Sequence, residues 1–178
     1  MIINKIESQV YNLIRVEKNF EIRYYPAATR AVIYSNLKSY RDLGNSGFSK
    51  LAKYIFGENS DNKKIVMTSP IHLDIGDIKS TMAFILPSAY NSSNLPKPND
   101  PSITILTSEP EYVAAKKFSG FATTESMKKQ RLLLENALKD HGLIFYGNFR
   151  FLGYNPPFQL LCRRNEIIVA LNADKLNM

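Results

Sequence analysis

Side chains able to hold a metal or move a proton are few in this 178-residue chain, which has two histidines, one cysteine and five methionines. His72 stands two residues after Pro70 in an extended stretch, where a neutral imidazole could coordinate a metal ion. His141 closes a helical stretch, a place where an imidazole complements the carbonyl end of the helix dipole. Cys162 precedes Arg163-Arg164 in a strand-like run and reads as a small, inert packing residue. A single cysteine forms no internal disulfide, and no Cys/His cluster has zinc spacing. Glycine-rich phosphate loops, G-x-S-x-G elbows, H-E-x-x-H helices and paired-carboxylate motifs are all missing from the sequence. The chemistry on offer is therefore that of a binder, and no enzyme activity is expected.

The elements that position these residues follow from hydrophobic periodicity. Residues 10–16 and 20–25 suit two strands around a Lys18-Asn19 turn, and Ala28 to Leu37 resumes as a third strand after Pro26. Between Asn45 and Phe56, the residues Phe48, Leu51, Ala52, Ile55 and Phe56 form one helical stripe, with Ser46 as a start and Gly57 as a stop. Strands return at Ile65 to Ile75, broken by Pro70, and at Thr81 to Leu86. The proline-rich stretch Pro87 to Pro101 marks a surface connection. The order then begins again, with strands at 102–107 and 112–118, a helix from about Thr124 to His141 ended by Gly142, and strands at 148–154, 158–162 and 166–171.

The two halves, about 10–87 and 102–171 with the linker 88–101 between them, read as fused strand-helix-strand repeats. Each has a helix with one apolar face and too few strands to cover it, so residues 1–178 are expected to form a single α+β domain. Its expected architecture is two pseudo-symmetric repeats closing into a distorted antiparallel β-barrel or curved sheet with two packed helices.

The net charge of +7 favours anionic partners, but the cations come as scattered pairs such as Lys63-Lys64 and Lys116-Lys117. That is not the basic stripe of a nucleic-acid binder. No apolar stretch reaches the length of a membrane span, and no apolar leader follows Met1, so a cytoplasmic location is expected.

Five blocks in order carry a family likeness. Phe-Glu-Ile-Arg-Tyr-Tyr-Pro-Ala-Ala (20–28), residues 48–59, Lys-Ile-Val-Met-Thr-Ser-Pro-Ile (64–71), Met82 to Pro87 with Leu95-Pro-Lys-Pro, and Tyr154-Asn-Pro-Pro with Arg163-Arg-Asn-Glu-Ile are these blocks. Together they resemble the SOUL family of haem-binding proteins from about Tyr11 to Leu171. The resemblance implies a distorted barrel of two pseudo-repeats that binds haem or a related tetrapyrrole reversibly in an apolar groove, for buffering or transport. Twenty aromatics, ten Tyr and ten Phe, suit such a slot or an ordinary core.

On that resemblance Met67 falls in the motif of the binding cleft, Lys64 could reach a propionate, and His72 is the candidate axial ligand. Phe48 and Tyr54 complete the expected lining. Two other readings stay open. A related repeat architecture, that of the GyrI-like small-molecule binders, includes members thought to hydrolyse ligands with an acid and a tyrosine. Here Glu21 with Tyr24 or Tyr25, and Glu109 or Glu111 with Tyr112, are the available pairs. The other reading is a peptide or protein interaction module using the groove beside the first helix, which requires the Phe48 to Phe56 stripe to be exposed.

Overall fold

The computed structural model describes residues 7–155 and 163–176. In chain order its elements are β1 (Glu7–Ser8), β2 (Asn12–Val16), β3 (Glu21–Tyr25), β4 (Thr29–Ser35), α1 (Tyr40–Ile55), β5 (Thr68–Ser69), β6 (Ile71–Asp74) and β7 (Ser80–Ile85). They continue with β8 (Ile103–Thr107), β9 (Glu111–Phe118), α2 (Thr124–Asp140), β10 (Phe145–Gly153), β11 (Asn165–Leu171) and a 3-10 turn, Ala173–Lys175. These elements belong to two compact units. The first combines residues up to Gln9 with Ala27–Glu109, and the second combines Val10–Pro26 with the residues from Pro110 onward.

In the first unit β6, β7, β4 and β8 lie side by side, all antiparallel, with Leu73 opposite Met82, Met82 opposite Ile33 and Ile33 opposite Ile103. Helix α1 packs on β4, β6 and β7. It begins earlier than the periodicity predicts: Ser39 is its N-cap, its side chain accepting from the Asp42 N–H, and the first turn carries the buried Leu43. The missed turn has a physical reason. The inner stripe runs Leu43, Gly47, Leu51, and a glycine at its centre hides the apolar spacing. A Cβ on Gly47 would lie 2.7 Å from the Met82 sulfur and 3.2 Å from its Cβ, so helix and sheet meet closely there. Gly57, at φ 119°, releases the chain as expected.

In the second unit the order is β2, β3, β9, β11, β10, again antiparallel, with α2 against β9, β10 and β11. Thr123 caps α2, which starts at Thr124, and Gly142, at φ 64°, ends it, as the sequence predicts for both bounds. The hairpin of β2 and β3 belongs here rather than with the first repeat, because β3 pairs with β9 along its whole length, from Glu21 opposite Ala115 to Tyr25 opposite Glu111.

Pairing alternates the faces. Arg23, Tyr25, Val113, Ala115, Glu166, Ile168 and Leu152 share one side, on which Tyr25, Val113, Ala115, Leu152 and Ile168 form a buried cluster with Tyr11 and Tyr154 packed against it. Neither sheet closes on itself, since β8 ends the order in the first unit and β2 in the second. The α+β class with two helices on antiparallel sheet holds, and the closed-barrel form is not found in either unit.

Candidate ligand-binding site

The expected box lies in the first unit, and Asn59 organises it. Its amide nitrogen donates to the carbonyls of Tyr54 (2.9 Å) and Lys63 (2.7 Å), and its Oδ1 accepts from the N–H groups of Asp61 (3.3 Å) and Lys63 (3.0 Å). One buried side chain thus supplies the backbone partners that a tight loop after α1 cannot supply itself. The Ile65 N–H then donates to the Ile55 carbonyl at 2.8 Å, which draws the chain back onto the helix end and buries both isoleucines.

The residues that follow each of them are left in solvent: Phe56 is 62% exposed and Val66 59%. Lys63 and Lys64 are exposed beside them, the Lys63 ammonium lying 5.1 Å from the Tyr90 ring centre, and Met67 is half-buried. The sequence carries Asn59 inside a recognised block, but nothing in its spacing marks it as the organiser.

Beyond Met67 the chain is strapped by its own N-terminal part. β1 pairs in parallel with β5, Glu7 opposite Thr68, and the Gln9 N–H donates to the Ser69 carbonyl at 2.7 Å. The Ser88 N–H donates to the Glu7 carboxylate at 3.1 Å. Gln9 also reaches His72, its Oε1 lying 2.7 Å from Nε2. His72 is 5% exposed, so its imidazole is buried against this amide.

The second unit hides an ion network that alternation alone would have placed half in water. The Arg23 guanidinium grips Glu166 with two bonds, 2.7 and 3.0 Å, and also donates to the Tyr25 hydroxyl and to Glu21. Arg164 donates to Glu166 Oε1 from two nitrogens, 3.1 and 2.8 Å, and the Tyr154 hydroxyl donates to Oε2 at 2.8 Å. Arg23 also lies 4.3 Å from the Tyr11 ring centre, and Arg164 lies 3.9 Å from that of Tyr154. Burial pushes the Glu166 carboxyl up, but the hydrogen bonds and charges of Arg23 and Arg164 outweigh it and hold the group below the usual carboxylate range.

An acid and two tyrosines do meet here, yet every lone pair that catalysis would need is taken by a cation or a hydroxyl. The acid-tyrosine pairs read from the sequence fare no better. Glu21 is bound by Arg23 and Lys117, and Glu111 accepts both Arg150 nitrogens at 2.8 and 2.7 Å.

The match to known proteins settles the family. The model of the SOUL heme-binding protein family matches residues 6–170. The chain belongs to the SOUL family. Heme-binding protein 2 of Mus musculus is 30% identical over 156 residues, covering 84% of this chain and 76% of that protein. Among solved structures, the EcmrR C-terminal domain superposes with a TM-score of 0.62 at 10% identity, covering 92% of this chain and 98% of that one. A hydrolase from Listeria innocua gives 0.59 at 7%, covering 88% and 93%. At such identities the last two show a shared fold alone.

Within this SOUL chain the remaining expected site residues fall apart. Phe48 packs edge-on against Phe84, ring centres 5.5 Å apart, and serves the sheet. Tyr54 is buried and donates to the Pro96 carbonyl at 3.0 Å; burial, then the neighbouring Tyr90, pushes its hydroxyl up to about 12. A cavity beside it, with Lys50, Lys53, Glu58 and Asp100 in its lining, holds about 200 Å³, below the size of a tetrapyrrole pocket.

Leu51, Ala52 and Ile55 are buried, so the α1 stripe is not the open groove an interaction module beside that helix requires. His141 accepts its expected role at the end of α2, with Nδ1 2.7 Å from the Ala137 carbonyl. Cys162 lies outside the described residues. Among the described residues no group of three or more His, Cys, Asp or Glu could hold a metal ion, and no helix is long and apolar enough to cross a membrane.

Proposed function

We propose that this SOUL-family chain binds haem or a related tetrapyrrole reversibly and without turning it over, buffering or carrying it in the cytoplasm. The macrocycle lies against Phe56, Val66 and Met67, and its carboxylates meet Lys63 and Lys64. One observation carries this reading: the Ile65-to-Ile55 hydrogen bond sets two large apolar side chains in solvent beside two exposed ammonium groups. Scattered exposed apolar residues need no explanation, but an apolar shelf edged by cations complements a flat ligand with an anionic rim. The names of the relatives point the same way.

These residues fit the ring and the carboxylates better than they fit iron. His72, the imidazole of the box, is occupied by Gln9, and Met67 is the soft donor nearest the shelf. Haem, when bound, would supply the visible absorbance by which binding is followed.

The test is a titration in the Soret region with haem and, separately, with metal-free protoporphyrin. Saturable one-to-one changes are expected for both ligands. The paired change Lys63→Glu and Lys64→Glu weakens each roughly tenfold, and Phe56→Asp with Val66→Asp does likewise. A chain that shifts neither spectrum sinks the proposal.

A further inference from the structure

Three methionines lie among the described residues, Met67, Met82 and Met127, and the fold treats them differently. Met82 is 2% exposed, its sulfur held where α1 meets β7, so close that a Cβ on Gly47 would lie 2.7 Å from it. Met127 is 4% exposed, on the inner face of α2. Met67 alone of the three keeps part of its surface in solvent. It follows the exposed Val66 directly in the chain and so borders the apolar shelf that Val66 makes with Phe56.

A thioether is polarizable and carries lone pairs that a hydroperoxide oxidises. The other side chains of the shelf offer nothing comparable. Phe56 and Val66 are hydrocarbon, and the ammonium groups of Lys63 and Lys64 have no lone pair to give. In the reaction a sulfur lone pair attacks one oxygen of hydrogen peroxide and the O–O bond breaks. The hydroxide released takes the proton of the new S–OH group and leaves as water. Sulfur is oxidised by two electrons, the peroxide is reduced by two, and the product is methionine sulfoxide. A flexible apolar side chain has become a polar one, whose oxygen keeps water that a flat apolar ligand must displace.

We propose that Met67 is a reversible oxidation site whose sulfoxide loosens the hold of the shelf on its tetrapyrrole. The inference rests on the tetrapyrrole reading of that shelf and adds a means of release to it. Burial of Met82 and Met127 is what makes the change a local one: the two core methionines are shielded, so an oxidant reaches the site while the packing of both helices stays intact. A sulfoxide reductase reverses the step, two thiols giving a disulfide and water as the sulfur is reduced.

The experiment treats the full chain with graded hydrogen peroxide and maps all five methionines and Cys162 by peptide mass. Each sample is then titrated with metal-free protoporphyrin and unfolded in urea. Met67 is expected to gain its oxygen ahead of Met82 and Met127. Porphyrin affinity falls about tenfold, the unfolding midpoint stays in place, and methionine sulfoxide reductases restore binding. Met67→Leu keeps porphyrin binding within about twofold of the parent and no longer responds to peroxide, whereas Met67→Gln binds weakly without treatment. Oxidation of Met82 or Met127 before Met67, parent affinity in the Met67 sulfoxide, or a Met67→Leu chain that still loses binding under peroxide overturns the proposal. An untreated chain that binds no porphyrin overturns the shelf reading and this inference with it. Failure of the inference alone shows as binding that peroxide leaves intact.

Discussion

Arg23 and Glu166, 143 positions apart, meet as a two-pronged guanidinium-carboxylate pair at 2.7 and 3.0 Å, and neither side chain exposes any surface to solvent. A pair taken out of water at both ends loses about as much solvation as it gains in attraction, so its net contribution is small. Its removal by halves is another matter. Glu166→Ala removes the fully buried carboxylate and leaves Arg23 with Glu21, which is partly exposed, as its carboxylate partner, and is expected to cost about 3–5 kcal/mol in urea unfolding. Arg23→Met combined with Glu166→Leu recovers most of that loss. A single variant within about 0.5 kcal/mol of the parent would mean the network is not closed to water.

The same carboxylate sets an acid limit. Glu166 ionises below its ordinary 4.5 when folded, so the unfolded chain binds its proton first. Its contribution is whole above that value and is lost as pH falls through the lower, folded one. Stability measured across the range below pH 4.5 is expected to fall more steeply in the parent than in Glu166→Gln.

A matching limit lies at high pH. Burial pushes the hydroxyls of Tyr25 and Tyr154 up, the Glu166 charge pushes Tyr154 further, and Tyr54 is pushed up to about 12. Unfolded tyrosines ionise near 10, so the unfolded state gains on the folded one as pH rises above that value. Ultraviolet titration should show these phenols ionising late or together with unfolding. Tyr154→Phe should reduce the alkaline loss of stability, and a parent whose ten tyrosines all titrate normally while folded would contradict this.

Gln9 holds the His72 imidazole against its own amide, which yields a spectroscopic prediction. Gln9→Ala removes the acceptor 2.7 Å from Nε2. Haem absorbance of that variant is expected to move toward the spectrum of imidazole-bound haem, and Gln9→Ala with His72→Ala should restore the parent spectrum. Identical spectra for all three proteins would show that the N-terminal strap does not control this histidine.

Packing of α1 makes a simpler prediction. Gly47→Ala places a methyl 2.7 Å from the Met82 sulfur and 3.2 Å from its Cβ. The sulfur can swing aside, but the Cβ moves only with β7. Despite the better helix propensity of alanine, a loss of about 1–3 kcal/mol is expected in thermal or urea unfolding. A more stable variant would show that helix and sheet separate readily.

Local chemistry was legible and long-range chemistry was not. Most strands among the described residues, the start of α2 near Thr124 and the glycine stops at 57 and 142 follow from periodicity and backbone preference, which act over a few residues; the expected strand 158–162 lies outside the described residues. Arg23 alternates with Ile22 and Tyr24, and nothing within β3 announces that its face also packs, against Tyr11 and Tyr154. Its partner sits in an Arg-Arg-Asn-Glu run that looks equally exposed. At the candidate site the box itself could be read as a family motif. Gln9, which determines what His72 can do, lies 63 positions away and carries no local signal.

The hairpin of β2 and β3 is made early and completed late. A chain leaving the ribosome emits it before β4, yet its sheet neighbour β9 comes only after the whole of Ala27–Glu109, and β11, which carries Glu166, comes near the end. Through most of synthesis Arg23 therefore stays hydrated, and the Ile22 and Tyr25 side chains, buried in the finished fold, stay without their sheet. A nascent chain halted before Asn165 is able to complete the strands of the first unit but holds a second unit missing an interior strand. Quality control acting on such chains would meet β3 first.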